Sequence, residues 1–196
     1  MYILAVNGSP NRSGNTVFLL ETVLAAARGE GVEGRLIHVM DALKDQKTPF
    51  CVACSSPCKE ACHEKDAGLK QACDAMEGAV AVVLGSPVYF GTVSAQLKAL
   101  WDKTRGLRTR KALVGKVGAA VSVGAARFGG QETTVSALHD MMLIHGMSIV
   151  GEGLRDIDAG HQGVCGQKPA EEDSYAIERA RILGRRLAWE VSKATS

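Results

Sequence analysis

Short apolar runs alternate along the chain with longer stretches in which apolar residues recur at helical spacing. The runs at 2–6, 35–39, 79–84, 117–123 and 148–150 read as strands, and their near-continuous apolar character suits strands buried on both faces. Helical periodicity falls at 15–28, 68–76, 93–103, 132–145 and 173–191. In the third of these Val93, Leu97, Leu100 and Trp101 form one apolar stripe, and in the last Ala176, Ala180, Leu183 and Leu187 do the same. Strand and helix in strict alternation predict an α/β fold, a doubly wound five-stranded parallel sheet with helices on both faces.

A chain of 196 residues has the size of one domain, expected to span 1–196. The Gly-rich connection 151–169 is longer than an ordinary loop and marks a candidate functional insertion. Lys and Arg number 23 against 21 Asp and Glu, a balance that gives no field to attract nucleic acid or an anionic membrane. The opening "MYILAVNGSP" reads as a strand entering a loop and lacks the pattern of a signal peptide, and no apolar run is long enough to span a bilayer. A cytoplasmic, reducing location follows, so the six cysteines read as thiols or metal ligands before disulfides.

Candidate chemistry begins at "GSPNRSGNT", 8–16, which follows the first strand and opens the first helix. Unpaired N–H groups and the helix dipole favour an anion there. Ser9, Asn11, Ser13, Asn15 and Thr16 add donors, and Gly14 lets the backbone approach. The loop lacks the Gly-Lys-Ser/Thr ending of a triphosphate loop and the G-x-G-x-x-G of a dinucleotide site, so a phosphate monoester fits better. The plainer reading is a helix capped by Ser13. The third strand ends in "GSPVYFGT" and the fourth in "SVGAARFGGQE", and the carboxyl ends of parallel strands are where such sheets bind ligands. Pro87 and Gly91 shape one turn, Tyr89 and Phe90 offer aromatic surface, and Gly124, Gly129 and Gly130 leave room for a ring. A phosphate at the first loop and a flat ring between the other two describe FMN.

The segments "GSPNRSGNT" and "GSPVYFGTVSAQLKALWDKT" resemble the NADPH-dependent FMN reductase and iron-sulfur flavoprotein family, over residues 1 to about 145. The resemblance implies a flavodoxin-like fold. It implies an FMN phosphate held by Ser9, Asn11, Ser13, Asn15 and Thr16, with Pro87, Val88, Tyr89, Phe90 and Gly91 lining the isoalloxazine. Ser122, Gly124, Gly129 and Gly130 would complete the pocket.

Cys51, Cys54, Cys58 and Cys62 lie in a Cys-rich loop at about 47–66, with two, three and three residues between them. Four thiolates in so short a stretch select a soft metal. A cubane presents its irons at separate corners, and one Cys per corner could wrap it. Structural zinc more often uses two separated C-x2-C pairs. Iron-sulfur flavoproteins carry a similar loop at this place, which favours [4Fe-4S], although their usual spacing is x2, x2 and a longer gap; zinc and redox-active thiols stay open. Cys73 reads as a small buried residue, Cys165 as a loop thiol, and His63 as a solvated histidine beside the cluster. His161 lies in the long connection and could approach a substrate, though nothing in the spacing requires it. Arg105, Arg108, Arg110 and Lys111 read first as a solvated face and then as a docking patch for an acidic carrier.

These readings point to an FMN-dependent oxidoreductase or electron-transfer protein whose function rests on thiolates and loops, with no side chain required as acid or base. By resemblance, electrons would pass between a ferredoxin-like carrier, the cluster and FMN in a homodimer or homotetramer. An NAD(P)H-dependent FMN or quinone reductase with a zinc-bound or empty Cys loop is the alternative, and a redox or metal sensor the second.

Overall fold

The computed structural model describes residues 1–64 and 66–193. The expected domain span and Cys-rich loop also include Lys65 and residues 194–196, which lie outside the described residues. Strands β1 (Tyr2–Asn7), β2 (Glu33–His38), β3 (Ala81–Pro87) and β4 (Val117–Gly124) run parallel in the order β2-β1-β3-β4. The fifth position, beyond β4, is filled by two strands placed end to end. β5 (Ser148–Ile149) pairs with Val117 and Gly118, and β6 (Val164–Gln167) pairs with Val121 through Gly124.

Side chains alternate across this sheet as the pleat requires. Ile3 and Ala5 face α1 (Asn15–Gly29) and α7 (Ser174–Lys193), where Leu19, Leu20, Leu24, Leu183 and Leu187 complete one apolar layer. Leu4 and Val6 face α3 (Ala67–Gly78), α4 (Ala95–Asp102) and α6 (Gln131–Leu143), with Leu69, Met76, Leu97, Leu100 and Met142 in the second layer. Each fully buried Leu here contributes about 1.5–3 kcal/mol by leaving water. α1 rides directly on β3, since a Cβ on Gly85 would lie 2.6 Å from Leu20 Cδ1.

The predicted strand and helix order is present, with three additions. Val39, expected to end the second strand, begins a short helix, α2 (Val39–Leu43), and a second, α5 (Arg105–Thr109), takes up much of the basic run. The long connection contains β6, whose "VCGQ" is too short and too polar to read as a strand and is held by β4. The Gly-Ser-Pro of "GSPVYFGT" belongs to β3 itself, so the loop begins only at Val88. Among the described residues no helix is long and apolar enough to cross a membrane.

Candidate functional site

The winding direction reverses at β1 and β3, so the loops that leave their carboxyl ends lie at the switch point of the sheet. The β1 loop is organised by Asn7, a buried residue that the sequence reading passed over. Its Oδ1 accepts the Ser9 N–H at 3.0 Å, and its Nδ2 donates to the Asn11 carbonyl at 2.9 Å. A polar residue closing an otherwise apolar strand was the available signal. Ser9 is buried and its Oγ accepts the Asn11 N–H at 3.1 Å.

The helix that follows is not capped by Ser13. Gly14 is its N-cap, at φ 154°, and no side chain accepts from the first-turn N–H groups. α3 and α4 differ: Asp66 accepts from the Gly68 and Leu69 N–H groups, and Ser94 from that of Leu97. The free N–H groups and dipole of the fifteen-residue α1 therefore face the turn that holds Asn11 and Ser13, both exposed, beside the buried Thr16. Asn15 is partly committed elsewhere, its Oδ1 accepting the Ala170 N–H at 2.7 Å and tying the β6–α7 connection to this loop.

The three loops are fastened to one another. The Gly8 N–H donates to the Gly85 carbonyl at 2.8 Å, and the Val88 N–H to that of Val123 at 2.9 Å. Thr133 Oγ1 donates to the Gly91 carbonyl at 2.9 Å. Tyr89 and Thr92 bond to each other across a tight turn in which Phe90 and Gly91 have φ of 50° and 81°. That turn drives the Phe90 ring fully into solvent, with Tyr89 41% exposed beside it. A Cβ on Gly130 would lie 3.2 Å from Gly91 Cα, so the β3 and β4 loops touch and leave no gap at that point for a ring.

Gln131, a second residue missed from sequence, folds the β4 loop. Its Oε1 accepts the Gly129 N–H at 2.8 Å, and its Nε2 donates to the Ala126 carbonyl at 2.6 Å and weakly to that of Gly166. Gly124 makes room for it, since a Cβ there would meet Nε2 at 2.5 Å. Ser122, expected at the pocket wall, is fully buried in β4, and its hydroxyl has no hydrogen-bond partner among the described residues. A cavity of about 790 Å³ opens beside the β4 loop, between Phe128 and Gln131 on one side and Gln167, Pro169 and Tyr175 on the other. Of the residues expected at the flavin, Gly130 alone lines it.

The uncapped α1 terminus, the glycine-built turns and the buried hydroxyl of Ser9 suit a phosphate ester with an attached ring.

The cysteine loop leaves α2 and enters α3. Cys54 is exposed, whereas Cys51, Cys58 and Cys62 are half-buried. Burial pushes the Cys62 thiol up, the Lys103 ammonium pulls it down, and Cys58 and Cys51 lie near enough to act on it. The Ala53 N–H donates to Cys51 Sγ at 3.4 Å, and Ala53 and Glu60 turn the chain back at φ of 49° and 54°. No three His, Cys, Asp or Glu side chains among the described residues converge on a single ion position. Four soft donors lie on this folded-back loop, with Cys51 and Cys58 within electrostatic reach of Cys62, and thiolates in such number are the donor chemistry of a polynuclear iron-sulfur centre, whose corners take one thiolate each.

His63 is not solvated. It is buried under the loop, with Nε2 3.4 Å from the Lys103 carbonyl and 3.7 Å from Cys73 Sγ. Cys73 is buried as expected, and burial pushes its thiol up to about 12. Cys165 lines the 790 Å³ cavity and is likewise pushed up to about 12 by burial. Of the basic run, Arg110 is engaged by Glu60 and Glu77, each at 2.6 Å, and so clamps the cysteine loop to the end of α3. His161 Nδ1 pairs with the buried Glu152 at 2.8 Å while its own side chain stays 64% exposed.

The sequence matches the NADPH-dependent FMN reductase family over residues 1–162. An iron-sulfur flavoprotein of Methanocaldococcus jannaschii is 41% identical over 195 residues, covering 96% of each chain. One from Methanosarcina thermophila is 34% identical over 193 residues, covering 95% of this chain and 93% of its own. The flavodoxin-like fold is shared with a WrbA-like protein of Agrobacterium tumefaciens, at a TM-score of 0.67 and 18% identity over 98% of this chain and 97% of that one. The chain belongs to the iron-sulfur flavoprotein and NADPH-dependent FMN reductase family, and is a flavin-dependent oxidoreductase.

Proposed function

We propose that the chain is an electron-transfer iron-sulfur flavoprotein, passing electrons between a ferredoxin-like donor and an acceptor with a [4Fe-4S] cluster and FMN as its redox groups. One conjunction carries this reading: an uncapped α1 terminus at the sheet's switch point and a folded four-thiol loop on the same chain. The names of relatives that match nearly the whole length support it. Bound FMN supplies two-electron exchange with an organic partner or one-electron exchange with a metal centre.

The chain's own residues bind and orient. Ser9, Asn11, Ser13, Asn15 and Thr16 hold the phosphate with the α1 N–H groups. Pro87, Val88, Tyr89, Phe90 and Gly91 line the ring, while Gly124 and Gly129 keep the β4 loop compact by admitting Gln131 and the Ala126 carbonyl, Gly130 lets that loop close on Gly91, and Ser122 lies behind them in β4. Cys51, Cys54, Cys58 and Cys62 hold the cluster. A homodimer or homotetramer covers the exposed aromatic turn, and the site works in the cytoplasm.

Anaerobic purification followed by flavin, iron, zinc and acid-labile sulfide analysis tests the reading. Flavin with about four irons and four sulfides per chain is expected. Flavin with zinc or no metal, together with rapid NAD(P)H oxidation, would replace it with the NAD(P)H-dependent FMN or quinone reductase that the family match favours. Both cofactors without turnover would leave the sensor.

A further inference from the structure

Beneath the cysteine loop lies a cation without a matching anion. Lys103, the C-cap of α4, is only 5% exposed. Its ammonium donates to Gln46 Oε1 at 2.7 Å, and among the described residues no carboxylate pairs with it. Gln46 passes the contact on, its Nε2 donating to Asp66 Oδ2 at 2.8 Å and to the Cys62 carbonyl at 3.3 Å. The carboxylate nearest along this chain of contacts is thus reached through a neutral amide and is itself occupied in capping α3.

A buried ammonium held by one neutral acceptor is costly unless another charge offsets it. The group that faces it is the cysteine loop: Gln46 joins the ammonium to the Cys62 carbonyl, His63 of the same loop lies 3.4 Å from the Lys103 carbonyl, and the charge is felt at the Cys62 thiol. Four thiolates around a [4Fe-4S] core of charge +2 leave a net charge of −2, and one-electron reduction makes it −3. A fixed positive charge stabilises both states, and the reduced one more.

We propose that Lys103 is the built-in counter-charge of the metal–thiolate centre, raising its reduction potential and its retention by the loop. Gln46 holds the ammonium in place without neutralising it, which a carboxylate at the same position would do. Lys103 is a positioning and tuning residue and touches neither flavin nor substrate. The inference rests on the cysteine loop holding an iron-sulfur cluster.

The test is an EPR-monitored redox titration of anaerobically prepared holoprotein, comparing wild type with Lys103→Met, Lys103→Gln and Lys103→Arg. Removing the charge is expected to lower the reduced-to-oxidised ratio about tenfold at a given potential, a shift of about 59 mV to the negative for a one-electron couple. Lys103→Arg, which keeps the charge, should stay near wild type. Iron and sulfide should also be lost faster to a chelator from the Met and Gln forms. If Lys103→Met does not fold, Lys103→Gln keeps a donor for Gln46 Oε1 and carries the comparison. A cluster of unchanged potential and unchanged retention in the uncharged forms overturns the proposal. A wild-type protein that takes up no iron and sulfide overturns the iron-sulfur reading itself, which is a separate result.

Discussion

Gln131 shows how much a single side chain can organise in this fold. One amide closes the β4 loop on itself and on β6, at a spot where Gly124 has no side chain in order to admit it. Gln131→Ala should leave the sheet intact and loosen this loop. FMN affinity, read by fluorescence quenching, is expected to fall about tenfold, the equivalent of about 1.4 kcal/mol; an unchanged affinity would remove the loop from the flavin site. Cys54→Ser addresses the other centre. Cys54 is exposed and carries no packing, so its replacement should abolish iron binding while FMN stays bound, as iron analysis and the flavin spectrum would report together. Retention of stoichiometric iron would show that Cys54 is not a ligand. At this scale the four thiols were legible as a group because their spacing sets them in one loop, which the structure folds back on itself. The sequence was opaque where a role depends on what a side chain meets. Asn7, Gln131 and Lys103 gain their roles from partners that are remote in the chain or belong to turn backbones, and His63 read as solvated because nothing local predicts the roof formed over it.

Among the elements, α1 packs the core with one face and points its uncapped end at the β1 loop. Leu20 is fully buried against Gly85 of β3, five residues from the end that faces the β1 loop. Leu20→Ala should cost about 2–5 kcal/mol, measured by urea denaturation of the apoprotein. Excess FMN should restore part of the loss, because a ligand bound only by the folded state adds stability by mass action. If FMN failed to shift the unfolding midpoint of wild type or variant, α1 would have no part in the site. The longer helices and the apolar strands were readable from periodicity alone. β6 and the two short helices were not, because their conformations are imposed by β4 and by neighbouring loops rather than by their own pattern.

In the whole molecule, the long connection is fastened by charge. Glu152 and Arg179 are buried together at 2.8 Å, and Asp158 and His161 extend the network. Burial pushes the Glu152 carboxyl up, but hydrogen bonds from Arg179 and His161 hold it below the usual carboxylate range. Such a group contributes stability that is complete above its unfolded pKa and is lost as pH falls through the folded one. His145 acts in the same sense. Burial and then Arg108 lower its imidazole from 6.5 to about 4, so the unfolded chain takes up protons first and stability falls over that interval. Thermal unfolding should therefore shift downward from pH 7 to pH 4. Arg179→Met, which strands the Glu152 carboxylate, should cost about 3–5 kcal/mol at pH 7 and less at pH 4 as Glu152 takes up a proton. A penalty independent of pH would assign the role of Arg179 to packing.

The fifth sheet position is filled twice, by β5 before the excursion and β6 after it, each in its own register on β4. Residues 155–159 between them are exposed. The tip is tied down chiefly through Asp158, which reaches Arg179 of α7. What holds the second segment is α7 laid along α1, close enough that Gly184 leaves no room for a Cβ against the α1 backbone. The two segments interlock through α7 and the Arg179 pairs rather than through the exposed turn itself, so a protein nicked at Arg155 is expected to elute as one body in gel filtration.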